Sequence, residues 1–165
     1  LTTGQVAKKW GLIYGLIGLI VNLTPVILEL QVSWIQLVNI AIAIVIYVLA
    51  TKEFKEANGG FMSFGEGFKI SMVAALIAGV IRSVISYVYV KFIDPSVTER
   101  IMEATNQAYR EQGMTEEQIE QANQFSEILT NPEIGLILGI VVVLIGGLLW
   151  GAIVSAIIKN EKEDF

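Results

Sequence analysis

Four long apolar runs dominate the pattern of hydrophobic and polar positions along the chain. They cover residues 10–30, 32–50, 70–92 and 134–158. Each run is near or above the ~20 residues that an α-helix needs to cross the hydrocarbon of a bilayer. The pattern therefore predicts an all-α, polytopic membrane protein with four transmembrane helices in a single domain.

A polar link at residues 52–69 separates the second run from the third. Ser63 is followed three residues later by Glu66, just before the apolar run, which matches a capping box. We therefore expect the third helix to begin near Phe64 and the third span to cover residues 64–92. The glycines of the link do not make a phosphate-binding loop, because GxxxxGK[ST] is absent and no strand precedes them.

The segment at residues 94–133 carries two amphipathic patterns. The first opens with Asp94 as a cap and Pro95 in the first turn, and it ends at Gly113. The second opens with the capping-box sequence TEEQ at residues 115–118 and stops at an Asn-Pro pair. We expect a small, acidic helical hairpin outside the membrane. A calcium site on its carboxylates is a weaker alternative, since no EF-hand spacing appears.

The basic residues divide unevenly between the two sides that these four spans define. Because cytoplasmic loops retain Lys and Arg, the more basic side should be cytoplasmic, and both termini belong to it. The segment at residues 94–133 then lies on the opposite side, and its carboxylates account for much of the net charge of −5. The basic residues of the cytoplasmic side are Lys8, Lys9, Lys52, Lys55, Lys69, Lys159 and Lys162.

Cysteine and histidine are both absent, so disulfides, thiol catalysis and thiolate or imidazole metal sites are excluded. The carboxylates nearest the membrane are Glu29, Glu66 and Glu133, and none has an evident second catalytic group. We therefore expect no enzyme activity, no metal and no cofactor. No basic patch predicts binding to nucleic acid.

Small residues recur at four-residue spacing in three of the runs. This spacing lets membrane helices approach closely, and it predicts a compact four-helix bundle with little interior volume. One such face could remain free for another protein. The predicted helix-packing residues are Gly11, Gly15, Ala75, Gly79, Ser83, Gly135, Gly139, Gly147 and Gly151.

Arg82 lies inside the third run, where a charged side chain costs at least a few kcal/mol unless something meets it. Counting ~1.5 Å per residue, Asn22 in the first run lies at a similar depth. Pro25 leaves the carbonyl of Val21 without its helical partner and predicts a kink near mid-membrane. The predicted polar cluster comprises Arg82, Asn22, Thr24 and Pro25, with Asn39 about a turn nearer the outside.

Three roles for Arg82 remain open at this point. It could fasten the third helix to the first, contact a lipid phosphate or a partner's carboxylate, or take part in transport. The sequence places no Asp or Glu at its depth.

Four segments of the chain resemble a known family of small bacterial membrane proteins. They are GQVAKKWGLIYG at residues 4–15, KEFKEANGGFMSFGEGFK at 52–69, SYVYVKFIDPS at 86–96, and EQGMTEEQIEQ at 111–121. The family is catalogued as domain of unknown function 4199 and is found mainly in Bacteroidetes. The resemblance implies a four-span protein of the bacterial inner membrane. Together with the division of the basic residues, this predicts that residues 94–133 lie in the periplasm. It implies no activity for any residue.

Two classes of function follow from these patterns. The first is a non-catalytic accessory or scaffold subunit that packs against another inner-membrane protein or against a second copy of itself. The second is a small transporter, channel or lipid-handling protein organised around Arg82. In both cases the lipid bilayer is the immediate surrounding.

Overall fold

The computed structural model describes residues 1–30 and 34–161, and within these ranges the protein is all-α. Four of its helices are long and apolar enough to cross a membrane, namely α1, α2, α6, and α3 together with the π-helical segment that continues it. In chain order the elements are α1 (Thr3–Ile27), α2 (Ile35–Ala57), α3 (Phe64–Val88), the π-helical segment (Tyr89–Ile93), α4 (Ser96–Glu111), α5 (Glu116–Thr130) and α6 (Pro132–Ile158).

The first two long helices extend beyond their apolar runs at the basic ends. Helix α1 begins at Thr3 because Thr2 and Gln5 form a capping box, with bonds of 3.2 Å to the Thr2 hydroxyl and 2.9 Å to the Gln5 carbonyl oxygen. Helix α2 continues to Ala57, beyond the end of its apolar run. The predicted start of the second span at residue 32 and Lys162 lie outside the described residues.

Two of the helix starts carry the capping contacts that their sequences indicate. At α3, the Glu66 carboxylate accepts hydrogen bonds from the Ser63 backbone N–H at 2.8 Å and from its hydroxyl at 2.9 Å. At α5, Thr115 and Gln118 form a reciprocal capping box. Helix α4 differs from the prediction, because its cap residue is Pro95 rather than Asp94.

The described chain divides into two compact units. One contains Leu1–Arg82 and the chain from Gly139 onward, and the other is Ser83–Leu138. In the first unit α1 and α2 pack against each other. Its core centres on buried Tyr47 and on alanines of α3, of which Ala74, Ala75 and Ala78 are fully buried.

Helix α3 contacts α1 through glycines that leave no room for a side chain. A Cβ at Gly11 would lie 2.9 Å from the Cβ of Ile77, and a Cβ at Gly15 would lie 3.2 Å from the Cβ of Ile81. Both separations are shorter than an ordinary van der Waals contact. Residue numbers rise together along this contact, so α1 and α3 run in the same direction.

A second side of α3 contacts α6 in the same manner. A Cβ at Gly147 would lie 2.6 Å from the Cβ of Ala75, and one at Gly151 would lie 2.6 Å from the Cβ of Ser71. Residue numbers fall along α6 as they rise along α3, so these helices are antiparallel. Helix α3 is therefore held between two helices at backbone-contact distance, the geometry that small residues permit in membranes.

A set of polar contacts joins the link before α3 to the end of α6. Met62 and Asn160 exchange two backbone hydrogen bonds of 2.9 Å each, and the Asn160 amide donates to the Gly60 carbonyl at 2.8 Å. The Lys55 ammonium donates to the Ile158 carbonyl at 2.9 Å. This places a cation on a carbonyl of the last turn of α6, where the helix dipole favours positive charge.

The second unit contains α4, α5 and the adjoining ends of α3 and α6. Asp94 accepts hydrogen bonds from the Ser96 hydroxyl at 2.6 Å and from the Arg100 guanidinium at 2.8 Å. These two donors hold the pKa of the Asp94 carboxyl below its usual range. Elsewhere in this unit Lys91 forms an ion pair with Glu133.

The calcium alternative receives no support from the described residues. No three acidic side chains among them are gathered closely enough to hold a metal ion. Arg110 instead forms an ion pair with Glu116 at 3.0 Å across the turn between α4 and α5.

Adjacent glycines of α6 provide a matched test of the contact with α3. Gly147→Ala should lower the free energy of unfolding by ~1–3 kcal/mol, because its methyl would overlap Ala75. Gly146→Ala should change it by less than ~0.5 kcal/mol, because nothing lies within 4 Å of a Cβ there. Unfolding of the two purified variants in mixed micelles, followed by tryptophan fluorescence, measures the difference. Equal losses would contradict the assigned contact face of α6.

Candidate functional site

The candidate site is built around Arg82, which lies on the α1 side of α3. The stem and guanidinium of Arg82 cross Gly18 of α1 directly. A Cβ at Gly18 would lie 2.8 Å from Cδ, 2.9 Å from Nε and 3.0 Å from Cζ of Arg82. Glycine at this position is therefore what allows an arginine to lie between the helices.

An amide pair closes the site between α1 and α2. The Asn22 amide donates to the Asn39 side-chain carbonyl at 2.9 Å, and the Asn39 amide donates back to Asn22 at 3.1 Å. Their remaining N–H groups donate to the Gly18 carbonyl at 2.6 Å and to the Ile35 carbonyl at 3.1 Å. All four N–H donors of the two amides are thus used inside the protein.

Arg82 makes only weak contacts with neutral groups. Its Nη2 donates to the Asn39 side-chain carbonyl at 3.5 Å, the outer limit for a hydrogen bond. Its Cζ lies 6.0 Å from the ring centroid of Tyr14, the outer limit of a cation–π contact. Among the described residues no carboxylate forms an ion pair with Arg82. The positive charge is therefore not neutralised within the described chain.

Two tyrosines lie next to this polar cluster, farther from the helix ends at Ile27 and Ile35. The ring of Tyr14 meets that of Tyr47 edge-on, with centroids 5.8 Å apart. The Tyr47 hydroxyl is buried beside the Tyr14 side chain, which interacts with both Tyr47 and Arg82. The two tyrosines therefore extend the polar contacts of Arg82 into the core.

The polar cluster lies towards one end of the helices rather than at their centres. Asn22 is five residues before the end of α1 at Ile27, and Asn39 is four residues after the start of α2 at Ile35. At ~1.5 Å per residue, the amide pair lies ~6–8 Å from these helix ends. Pro25 likewise lies in the last turn of α1. A kink at this proline would therefore lie near the end of the helix and not near mid-membrane, where it was predicted.

The predicted members of the polar cluster separate into two groups. Asn22 and Asn39 join Arg82, and Asn39 rather than Asn22 accepts its hydrogen bond. Thr24 is exposed, and neither it nor the Val21 carbonyl receives a hydrogen bond from Arg82 among the described contacts. Of the predicted cluster, Asn39 is thus the member whose side chain accepts a hydrogen bond from the guanidinium.

The predicted packing glycines also separate. Gly11, Gly15, Gly79, Gly147 and Gly151 lie at close helix contacts, and Ala75 and Ser83 are buried. Gly135 differs, since nothing lies within 4 Å of a Cβ placed there. Gly139 is half-buried on α6.

Sequence patterns gave no indication of Gly18, Tyr14 or Tyr47 as site residues. Gly18 lies three residues after Gly15, outside the four-residue spacing that marked the others. A tyrosine in an apolar run usually indicates an interface position, so the inward direction of these two needed the structure.

The fold and this site define a multi-pass α-helical membrane protein with a charged group between its helices. The family model of the Protein of unknown function (DUF4199) matches residues 9–160. The chain belongs to this family, in agreement with the resemblance found in its sequence. No curated protein and no solved structure matches the chain.

We expect the coupling free energy between Asn22 and Asn39 to be larger than that between Arg82 and Asn39. In a double-mutant cycle, Asn22→Ala and Asn39→Ala should couple by about 0.6–1.7 kcal/mol, the range of side-chain hydrogen bonds in membranes. Arg82→Gln with Asn39→Ala should couple less, because that bond is 3.5 Å long. Unfolding free energies in mixed micelles supply both cycles, and a larger Arg82–Asn39 coupling would contradict the geometry.

Proposed function

We propose that this chain is a non-catalytic accessory or scaffold protein of the bacterial inner membrane, which packs against another membrane protein. The observation that carries the proposal is an uncovered glycine face on α6. Nothing lies within 4 Å of a Cβ at Gly135 or at Gly146. Eleven residues separate them, so at ~100° per residue both point in directions within ~20° of each other.

Between these two glycines the same helix face carries Val142, which is 65% exposed. Glycines permit backbone-to-backbone contact, and on another face of α6 Gly147 and Gly151 are used in that way against α3. A helix that uses one glycine face internally and leaves a second one open is suited to receiving a further transmembrane helix. We refer to Gly135, Val142 and Gly146 as the open glycine face.

The chemistry of the chain supports a non-catalytic role. Of the three carboxylates that stand near the membrane, Glu66 caps α3 and Glu133 pairs with Lys91. Each is engaged in a contact that stabilises a helix end. The close contacts of α3 with α1 and α6 also leave little interior volume for a channel.

The proposed orientation places both termini in the cytoplasm and α4 and α5 in the periplasm as an acidic hairpin. Helices α1 and α3 are parallel and α6 is antiparallel to α3, as expected for a chain that crosses the membrane four times. The basic residues flanking the cytoplasmic ends number seven, against three in the segment from Lys91 to Arg110, and this asymmetry supports the orientation.

A second candidate function is lipid handling or transport organised around Arg82. It is favoured by one observation, the absence of an ion-pair partner for this arginine among the described residues. Charged side chains inside spans are generally retained for a purpose, because they are costly to bury.

The orientation is tested with single cysteines, which meet no background because the chain contains none. In intact spheroplasts an impermeant maleimide should label Gln112→Cys and leave Glu56→Cys unlabelled until the membrane is opened. Both native residues are exposed, so differential labelling reports sidedness. Labelling of Glu56→Cys alone would reverse the proposed topology.

The scaffold role is tested by filling the open glycine face. Gly146→Leu should leave the monomer folded, because space is available, while reducing at least tenfold the yield of any membrane protein that co-purifies with the wild type from native membranes. Val141→Trp, an enlargement on a different exposed face of α6, is the matched control and should leave that yield unchanged.

Quantitative mass spectrometry of the purified fractions measures the yield. Loss of self-association alone in Gly146→Leu would identify the partner as a second copy of the chain. Equal yields from the wild type and both variants would reject the open glycine face as the docking surface.

A further inference from the structure

We propose that Arg82 is the core of a phosphate-binding site between α1, α2 and α3. The ligand is the phosphate group itself, carried by the headgroup of a phospholipid or present as free phosphate. This deepens the second candidate function and does not depend on the scaffold role. It follows from a count of donors, from the neutral neighbours of the guanidinium and from the surroundings of the site.

A count of N–H donors in the cluster shows that the guanidinium of Arg82 has donors that are not used in hydrogen bonds. The amide pair of Asn22 and Asn39 uses all of its N–H groups on protein acceptors. A guanidinium has five N–H donors in a planar fork, and in Arg82 one of them makes a single long bond. A second N–H group is directed at the Tyr14 side chain. The other donors have no hydrogen-bond acceptor among the described contacts, and a fork of this kind matches two oxygens of one phosphate group.

The guanidinium lies among neighbours that cannot neutralise it. Gly18 lies beneath its stem, the Asn39 carbonyl holds one edge and the Tyr14 ring faces it. The amide pair is itself locked by its bonds to the Gly18 and Ile35 carbonyls. A cation that lies among neutral groups, with donors left over, is suited to receiving an anion.

The surroundings indicate how a phosphate group reaches the site. Arg82 is half-buried, so part of it stays accessible. On the helix faces turned away from the amide pair, Ile20 of α1 is 66% exposed and Leu37 of α2 is 69% exposed, which is the apolar exterior expected of helices in contact with lipid. The amide pair lies ~6–8 Å from the helix ends at Ile27 and Ile35, a depth that arginine and lipid phosphate can bridge by snorkelling and local thinning.

The binding test uses the full chain, freed of lipid, in a maltoside detergent that contains no phosphate. It is titrated separately with a short-chain phosphatidylglycerol, with inorganic phosphate, and with a diacylglycerol of the same chain length. Native mass spectrometry counts bound phospholipid, and thermal stability reports binding of all three. The wild type should bind the phospholipid with saturation. Any binding of the diacylglycerol should be the same in the wild type and in the Arg82 variants.

The variants separate charge, geometry and folding. Arg82→Gln should weaken binding at least about tenfold, because a charge-assisted pair of bonds is lost. Arg82→Lys keeps the charge and loses the fork, so it should bind with intermediate affinity. Gly18→Ala keeps the arginine and displaces it, since the new methyl would lie within 3.0 Å of the guanidinium. Arg110→Gln, a surface arginine paired with Glu116, is the control and should bind as the wild type does.

Each outcome decides the inference or its source. Saturable binding of phospholipid alone identifies a lipid headgroup, and binding of inorganic phosphate as well identifies a site for free phosphate. Equal phospholipid binding by the wild type and by a folded Arg82→Gln variant overturns the inference. If that variant also loses a co-purifying membrane protein, Arg82 pairs with a carboxylate of that partner, and the inference is overturned as well.

Lipid transfer between vesicles tests the second candidate function separately from the binding site. Binding without transfer would leave the phosphate site standing and remove lipid handling as a function. Failure of binding would overturn the site whatever the transfer assay gives.

Discussion

The close approach of α3 to α1 on one side and to α6 on the other is the constraint on which the rest of this structure depends. Apolar burial does not bring helices together inside a membrane, because lipid is as apolar as leucine. Gly11 and Gly15 face α3 from α1, and Gly147 and Gly151 face it from α6, each at a distance that excludes a side chain. The association therefore relies on packing between backbones, and single methyl groups are enough to disturb it.

This contact also determines where Arg82 can lie. Continuing along α1 from Gly15, Gly18 is the next small residue towards α3, and the arginine crosses it. The same packing that orders the helices thus creates a slot with room for one long side chain and with no carboxylate among its described contacts. In this slot the amide N–H groups of Asn22 and Asn39 are all used within the protein, whereas the guanidinium keeps donors for a ligand. The proposed phosphate site therefore follows from the packing of the helices.

The parts of the fold that follow from local pattern could be predicted from sequence. Four apolar runs gave four long helices, and the Thr115–Gln118 capping box marked the start of α5. The start of α1 was missed although Thr2 and Gln5 carry the same signal, because Lys8 and Lys9 marked the flank of the apolar run. The π-helical segment at Tyr89–Ile93 had no sequence signal.

The site was predictable only in its composition. Depth along the parallel helices α1 and α3 predicted Asn22 beside Arg82, with Asn39 about a turn nearer the outside. Which amide accepts the hydrogen bond of the guanidinium depends on helix rotation, and sequence spacing does not determine rotation. For the same reason four-residue spacing marked Gly135 and Gly147 alike, while the structure covers one and leaves the other open. Gly18 and the two tyrosines became visible only once α1 and α3 were placed side by side.

Disulfide cross-linking of the otherwise cysteine-free chain tests the central position of α3 most directly. A Cβ at Gly79 would lie 3.4 Å from the Cβ of Val143, and one at Gly15 would lie 3.2 Å from the Cβ of Ile81, close to the Cβ separations of disulfides. Under mild oxidation in native membranes, the pairs Gly79→Cys with Val143→Cys and Gly15→Cys with Ile81→Cys should both form intramolecular bonds in high yield. Gly79→Cys with Gly146→Cys should not. Cross-linking of the last pair, or failure of either of the first two, would contradict the placement of α3 between α1 and α6.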